Sequence, residues 1–158
     1  HIFNPANLGL FLSLTIFSIG DEWWSSVGYN FNGFSFTLTP LLIIANYKAN
    51  RIYTSFSFLI TFALLTYLTG MKANYLPSFN DITSFFFSLP YFFAFIMVSE
   101  PKTSPYKTKE QIIYGIFMAF ISFLLILYNL KYPLLLSLII GNLTYAIYRV
   151  KFFGKILK

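Results

Sequence analysis

Long apolar runs separated by short polar turns fill this chain, and run length carries more signal than period. A crossing helix needs about 20 apolar residues. On that scale the runs predict six spans, at about residues 5–19, 34–47, 52–70, 81–98, 108–130 and 133–148. The first two are short, and Pro40 interrupts the second. Asn4 suits a helix cap and Pro5 a first turn. Lys48 and Arg51 mark a tight turn before the third span, the longest without a charge. Asn80 or Asp81 can cap the fourth, where Pro90 should bend the helix in mid-membrane. Thr108, with Gln111 three residues on, reads as a capping box for the fifth. Pro133 suits the first turn of the sixth.

Composition agrees with that pattern. Of 158 residues, 57% are hydrophobic, 22% aromatic and only 10% charged, against roughly 25% charged in soluble domains. The expected fold is an all-α polytopic membrane protein forming one domain, residues 1–158, with the lipid bilayer as its main partner. A net charge of +6 suggests nucleic acid at first sight, but the cations lie between apolar runs and in the tail. Lys48, Arg51, Lys102, Lys107, Lys109, Arg149, Lys151, Lys155 and Lys158 fall on one side of a six-span arrangement, and only Lys72 and Lys131 on the other. The positive-inside rule then places both ends in the cytoplasm and assigns no role to nucleic acid. Trp23 and Trp24 read as an interfacial belt on the far side. Without cysteine, the chain holds no disulfide and no cysteine-ligated iron–sulfur centre. One histidine, His1, makes no metal site alone. A start at His1, without an initiator methionine, is expected of a C-terminal piece of a longer protein.

No acid or base lies at the middle of a predicted span, where proton relays and charged ion paths usually place one. Interior polar groups are hydroxyls and amides, among them Ser13, Thr15, Asn46, Thr61, Ser88, Asn142 and Thr144. Most should bond helix carbonyls; a neutral pocket for a flavin, a quinone or a partly dehydrated cation is the other reading. The polar turn after the fourth run, MVSEPKTSP from Met97, is the sharpest local signal. Glu100 precedes Pro101, which disfavours helix at Glu100. Thr103, Ser104 and Pro105 complete a stiff, oxygen-rich turn. Its plain reading is a helix stop with Glu100 balancing Lys102, Lys107 or Lys109; its functional reading is a site beside residues 4–9.

Two stretches together resemble one family. Phe3, Asn4, Pro5, Ala6 and Gly9 match a first signature, and Met97, Ser99, Glu100, Pro101, Thr103 and Pro105 match a second in order. The chain is similar to the RnfD/NqrB membrane subunits, from the Rnf electron-transport complex and the sodium-pumping NADH:quinone oxidoreductase. Its tryptophan pair lies nearer the small stand-alone relatives, including the enediyne-biosynthesis type. The resemblance implies a urea-transporter-like fold in a prokaryotic plasma membrane, other membrane redox subunits as partners, and a flavin-associated role in ion-coupled electron transport. It points to Asn4, Pro5, Asn7, Gly9, Thr83, Ser84, Glu100, Thr103 and Ser104 as cofactor-binding residues. In those subunits FMN is attached through its phosphate to the final hydroxyl residue of a Ser-Gly-Ala-Thr motif. That motif is absent here, and Thr83 and Ser84 lack its glycine and alanine, so non-covalent FMN or riboflavin is the expectation. The competing functions are a small-solute or ion channel of the same fold, and a non-catalytic scaffold subunit. The triplet Asn4-Pro5-Ala6 also resembles an aquaporin half-helix signature, but it occurs once, not twice.

Overall fold

The computed structural model describes residues 2–17, 32–69, 85 and 89–156. Among these the chain is wholly helical, with six helical elements and no sheet. They are α1 (Pro5–Phe17), α2 (Asn32–Lys48), α3 (Ile52–Thr69), the π-helical α4 (Phe93–Val98), α5 (Thr108–Leu127) and α6 (Pro133–Ile156). Two stretches are long and apolar enough to cross a membrane, Thr108–Leu127 and Pro133–Lys151. The Trp23 and Trp24 belt, Lys72 and the caps assigned to Asn80 or Asp81 lie outside the described residues.

Two asparagines stop α2 and α5. Asn50 and Asn129 take left-handed conformations, φ 53° and 50°, which asparagine tolerates better than most residues. Around Asn50, Arg51 N donates to Asn46 O at 2.9 Å and Asn50 N to Tyr47 O at 3.0 Å. Around Asn129, Leu130 N donates to Leu125 O at 3.1 Å and Asn129 N to Ile126 O at 2.9 Å. Each is a Schellman pair that uses carbonyls the helix end would leave bare. The fifth helix therefore ends at Leu127, before the predicted residue 130. The sixth instead runs on through the basic tail to Ile156, because nothing between 148 and 156 breaks it.

α3 and α5 run parallel and form the tightest pair. Gly115 sits at their crossing: a Cβ there would overlap Ser57 Oγ and lie 2.5 Å from Thr54 O. Small residues let membrane helices approach this closely. α6 returns antiparallel to α5 and bonds across it, Ser122 Oγ donating to Ser137 Oγ at 2.8 Å. Phe58, Phe93, Met118, Leu135 and Leu138 fill the shared core. The outside is as apolar as the inside: Ile16, Tyr67, Leu68, Ile113 and Val150 are all at least two-thirds exposed. Scattered over every long helix, such a surface is at home in lipid and a liability in water.

The fourth predicted span, 81–98, is not one bent helix. Leu89 and Pro90 lie outside helical structure, and helix is present from Tyr91. Pro90 begins a helical segment instead of kinking one, since its ring lacks the donor an interior turn needs. Its carbonyl accepts Ala94 N at 2.9 Å. Six residues of π-helix follow, all but Ile96 buried.

Gly115→Val tests the packing. It should lower stability by about 2 kcal/mol, by overpacking against α3, read as an earlier thermal unfolding midpoint in detergent. An unchanged midpoint would mean that α3 and α5 do not meet at Gly115.

Candidate functional site

The polar residues gather at two places. One is the junction where α2 turns into α3 and α4 runs into α5. A π-helix widens the turn and turns its carbonyls toward side chains, a geometry found often at functional sites. Asn46 Nδ2 donates to Phe95 O and also to Leu42 O, at 3.1 Å. Ser55 Oγ shares its proton between Asn46 Oδ1 at 2.8 Å and Ala94 O at 2.9 Å. Ser99 Oγ donates to Phe95 O at 2.6 Å. Three side chains thus cover two carbonyls of the widened turn, and all three are buried.

Directly below lies the turn of residues 100–105. Thr103 and Ser104 backbone N–H groups donate to Glu100 O at 3.2 and 3.0 Å. Ser104 Oγ adds a third bond to that oxygen at 2.7 Å. Thr103 Oγ1 donates to the Glu100 carboxylate at 3.0 Å. Glu100 is half-buried, while Thr103, Ser104 and Pro105 are buried. The carboxylate's partner is therefore a hydroxyl, not one of the lysines expected from sequence. Lys107 pairs with Glu110 instead, 3.7 Å away.

Arg51, read from sequence only as a marker of sidedness, clamps this turn. Its Nη2 donates to Pro101 O at 3.0 Å, and its guanidinium lies 5.1 Å from the Tyr106 ring centroid. It is buried, and burial lowers its pKa; arginine titrates so high that it stays charged at neutral pH. Gln111 completes the clamp, Nε2 donating to Asn50 O at 2.7 Å and Tyr106 O at 2.8 Å. The predicted capping box does not form: Lys107 occupies the cap position, Thr108 is the first helical residue, and Gln111 is drawn to these two loop carbonyls. Asn46, Arg51 and Gln111 thus matter more here than their types announced. Only the proximity of Lys48 and Arg51 to a turn hinted at it.

The second place is the start of α1. Asn4 is the expected cap, its Oδ1 accepting Asn7 N at 3.1 Å. Asn7 Nδ2 reaches Leu135 O at 3.1 Å, leaving Asn7 Oδ1 buried without a partner. Further along, Tyr132 OH donates to Leu14 O at 3.3 Å. Pro5 and Gly9 are exposed on the same helix. Leu135 lies at the far end of α6 from the Glu100 turn. At about 1.5 Å per residue, the Ser122–Ser137 level is roughly 20 Å along α5 from its first turn. The residues that the resemblance joined in one site therefore form two groups toward opposite ends of the bundle. α1 packs at the Lys131 end of α6 and not with the cytoplasmic cations that the positive-inside reading grouped with both chain ends. Thr83 and Ser84 lie outside the described residues.

Among the described residues no group of histidines and acids is placed to hold a metal. What the junction offers is one half-buried carboxylate, one buried guanidinium and a frame of amides and hydroxyls. Buried bonding inside, an apolar surface outside and two helices long enough to span fit a helical membrane protein. A family model matches residues 26–149, the NQR2, RnfD, RnfE family. The chain belongs to this family, whose members are membrane subunits of ion-translocating redox complexes. Neither the comparison with curated proteins nor that with solved structures returned a match.

Asn46→Ala should cost about 1 kcal/mol, because it removes the bonds to Phe95 O and from Ser55 while Ser99 still donates to Phe95 O and Ala94 O still accepts from Ser55. Thermal unfolding in detergent reads this loss, and an unmoved midpoint would show that Ser99 and Ala94 O alone hold the widened turn.

Proposed function

We propose that this chain is a membrane subunit of an ion-coupled electron-transport system whose working part is the junction at residues 93–105. The observation that carries this is the broken fourth segment. A segment that is out of helix at Leu89 and Pro90, enters helix at Tyr91, widens into a π-turn and ends at Glu100 sets irregular backbone within a membrane protein. Such backbone is tolerated where protein or a cavity satisfies it, and transporters build their ion and substrate sites there. Asn46 and Ser55 hold the turn open, Arg51 fixes Pro101, and Thr103 orients the Glu100 carboxylate at the boundary. Glu100 then supplies a fixed negative charge where a cation enters or leaves.

The described candidate residues offer a flavin phosphate no free donor. The hydroxyls of Thr103 and Ser104 already donate within their own turn, and Glu100 would repel a flavin phosphate. Asn4 and Asn7 bond each other and Leu135, with one free acceptor remaining at Asn7 Oδ1. Non-covalent FMN therefore has no phosphate anchor at Asn4, Asn7, Glu100, Thr103 or Ser104. The same internal bonding favours the scaffold reading, in which residues 100–105 only shape a loop.

Glu100→Gln separates the two. It removes the charge and keeps size and the Thr103 bond. An inserted, folded protein whose partner-dependent electron transfer or ion flux falls at least about tenfold, on the order of 1.4 kcal/mol in the barrier, supports the working junction. Full activity leaves the scaffold. Sidedness has its own check: cysteines replacing Lys107 and Lys155 should label from the cytoplasm and one replacing Lys131 from outside. Labelling of positions 107 and 131 from one side would refute the arrangement.

A further inference from the structure

A groove of about 300 Å³ opens between α5 and α6, at the end of the bundle where the cations collect. Ile113, Tyr114, Phe117, Tyr145 and Tyr148 form its walls, with Thr144 on one side. It faces outward: Ile113 is 67% exposed and Tyr148 48%. The tyrosine rings are grouped, Tyr114 and Tyr145 centroids 5.7 Å apart and Tyr145 and Tyr148 6.4 Å apart.

Charge at the rim is one-sided. Glu110 is its single acid, and Lys107 pairs with it at 3.7 Å. Arg149 stands over the Tyr145 ring, 6.0 Å from the centroid, and Lys151 follows on the same helix. Neither has a carboxylate partner among the described residues, where Lys107–Glu110 is the only ion pair. An apolar slot with tyrosines near its mouth, and cations above it that have no carboxylate partner among the described residues, suits an anionic lipid.

We propose that the groove seats an acyl chain of an anionic phospholipid, with the lipid phosphate against Arg149 and Lys151. Ile113 and Phe117 exclude water around the chain. The tyrosine rings sit at the depth where aromatic side chains favour the headgroup boundary. The cations supply the selectivity, each worth about fivefold toward an anionic headgroup. Glu110 does not cancel this, since Lys107 lies 3.7 Å from it and Arg149 and Lys151 keep the rim net positive. The inference rests on the membrane placement and not on the redox role.

The test uses the full chain in neutral detergent micelles titrated with dioleoyl-phosphatidylglycerol or dioleoyl-phosphatidylcholine, with bound lipid counted by native mass spectrometry. The phosphatidylglycerol should half-saturate at least about tenfold lower, and salt should shrink that gap. Arg149→Gln combined with Lys151→Gln should abolish the preference, while Lys131→Gln, at the opposite end, keeps it. Thr144→Trp, which fills the groove from an exposed position, should lower retention of both lipids in a protein that still unfolds at the wild-type temperature. Equal binding of the two lipids would overturn the proposal, as would a preference that survives the double substitution. A copurifying non-lipid ring compound or partner helix in the groove would overturn it too. Lipid counting needs no electron transfer, so this proposal and the redox reading fail independently.

Discussion

Within a bilayer no water is at hand for a backbone carbonyl that its own helix does not use. The whole junction at residues 89–105 follows from that constraint. Pro90 removes a donor, so helix cannot run through it, and the segment restarts as a wide π-turn. A wide turn leaves its carbonyls poorly covered, and Asn46, Ser55 and Ser99 are the side chains that cover them. Asn46 comes from α2 and Ser55 from α3, so the fourth segment is held by the hairpin that precedes it. Covering the break and positioning three elements are one act.

The same economy appears in the packing. Gly115 allows α3 and α5 to touch, and that contact carries Asn50 and Arg51 to the first turn of α5. Arg51 and Gln111 then reach the Pro101, Asn50 and Tyr106 carbonyls across loops that would otherwise be independent. A guanidinium suits this place because it is a fork of donors that stays charged when buried. Lysine would offer one point of charge and no comparable reach to the Tyr106 ring.

Much of this was legible in the chain. Apolar run length gave the all-helical membrane class. Asn4 and Pro5 marked a helix start that the Asn4–Asn7 bond realises, and Pro133 marked another. Residues 97–105 read as a special turn, and the family that their pattern resembles is the one to which residues 26–149 belong. Other features were hidden because they are tertiary. Thr108 and Gln111 have capping-box spacing, yet loop carbonyls compete for Gln111 and win. Glu100 lies close in sequence to three lysines, yet a hydroxyl three residues away meets it with less entropy lost. Pro90 in an apolar run reads as a kink, and only the neighbours of the π-turn decide between a kink and a break. The two signatures read as partners because both are distinctive, while helix direction sets them at opposite ends.

That separation changes what a function must explain. A single cofactor held by both motifs would need them side by side, and α6 keeps Leu135 and Arg149 at its two ends. The two groups are better understood as two anchorages on one rigid frame. At one end Asn7 ties α1 to the first turn of α6, and Tyr132, held at φ 55° beside Pro133, ties the same two elements again. At the other end Arg51 and Gln111 tie the α2–α3 turn to the Glu100 turn. Between them run α5 and α6, close-packed through Ser122 and Ser137 with no charge at mid-span. For the cation path proposed at Glu100, these two helices offer no ionised residue at mid-span. On the role proposed for Glu100, coupling of ion movement to electron flow would draw on groups outside α5 and α6.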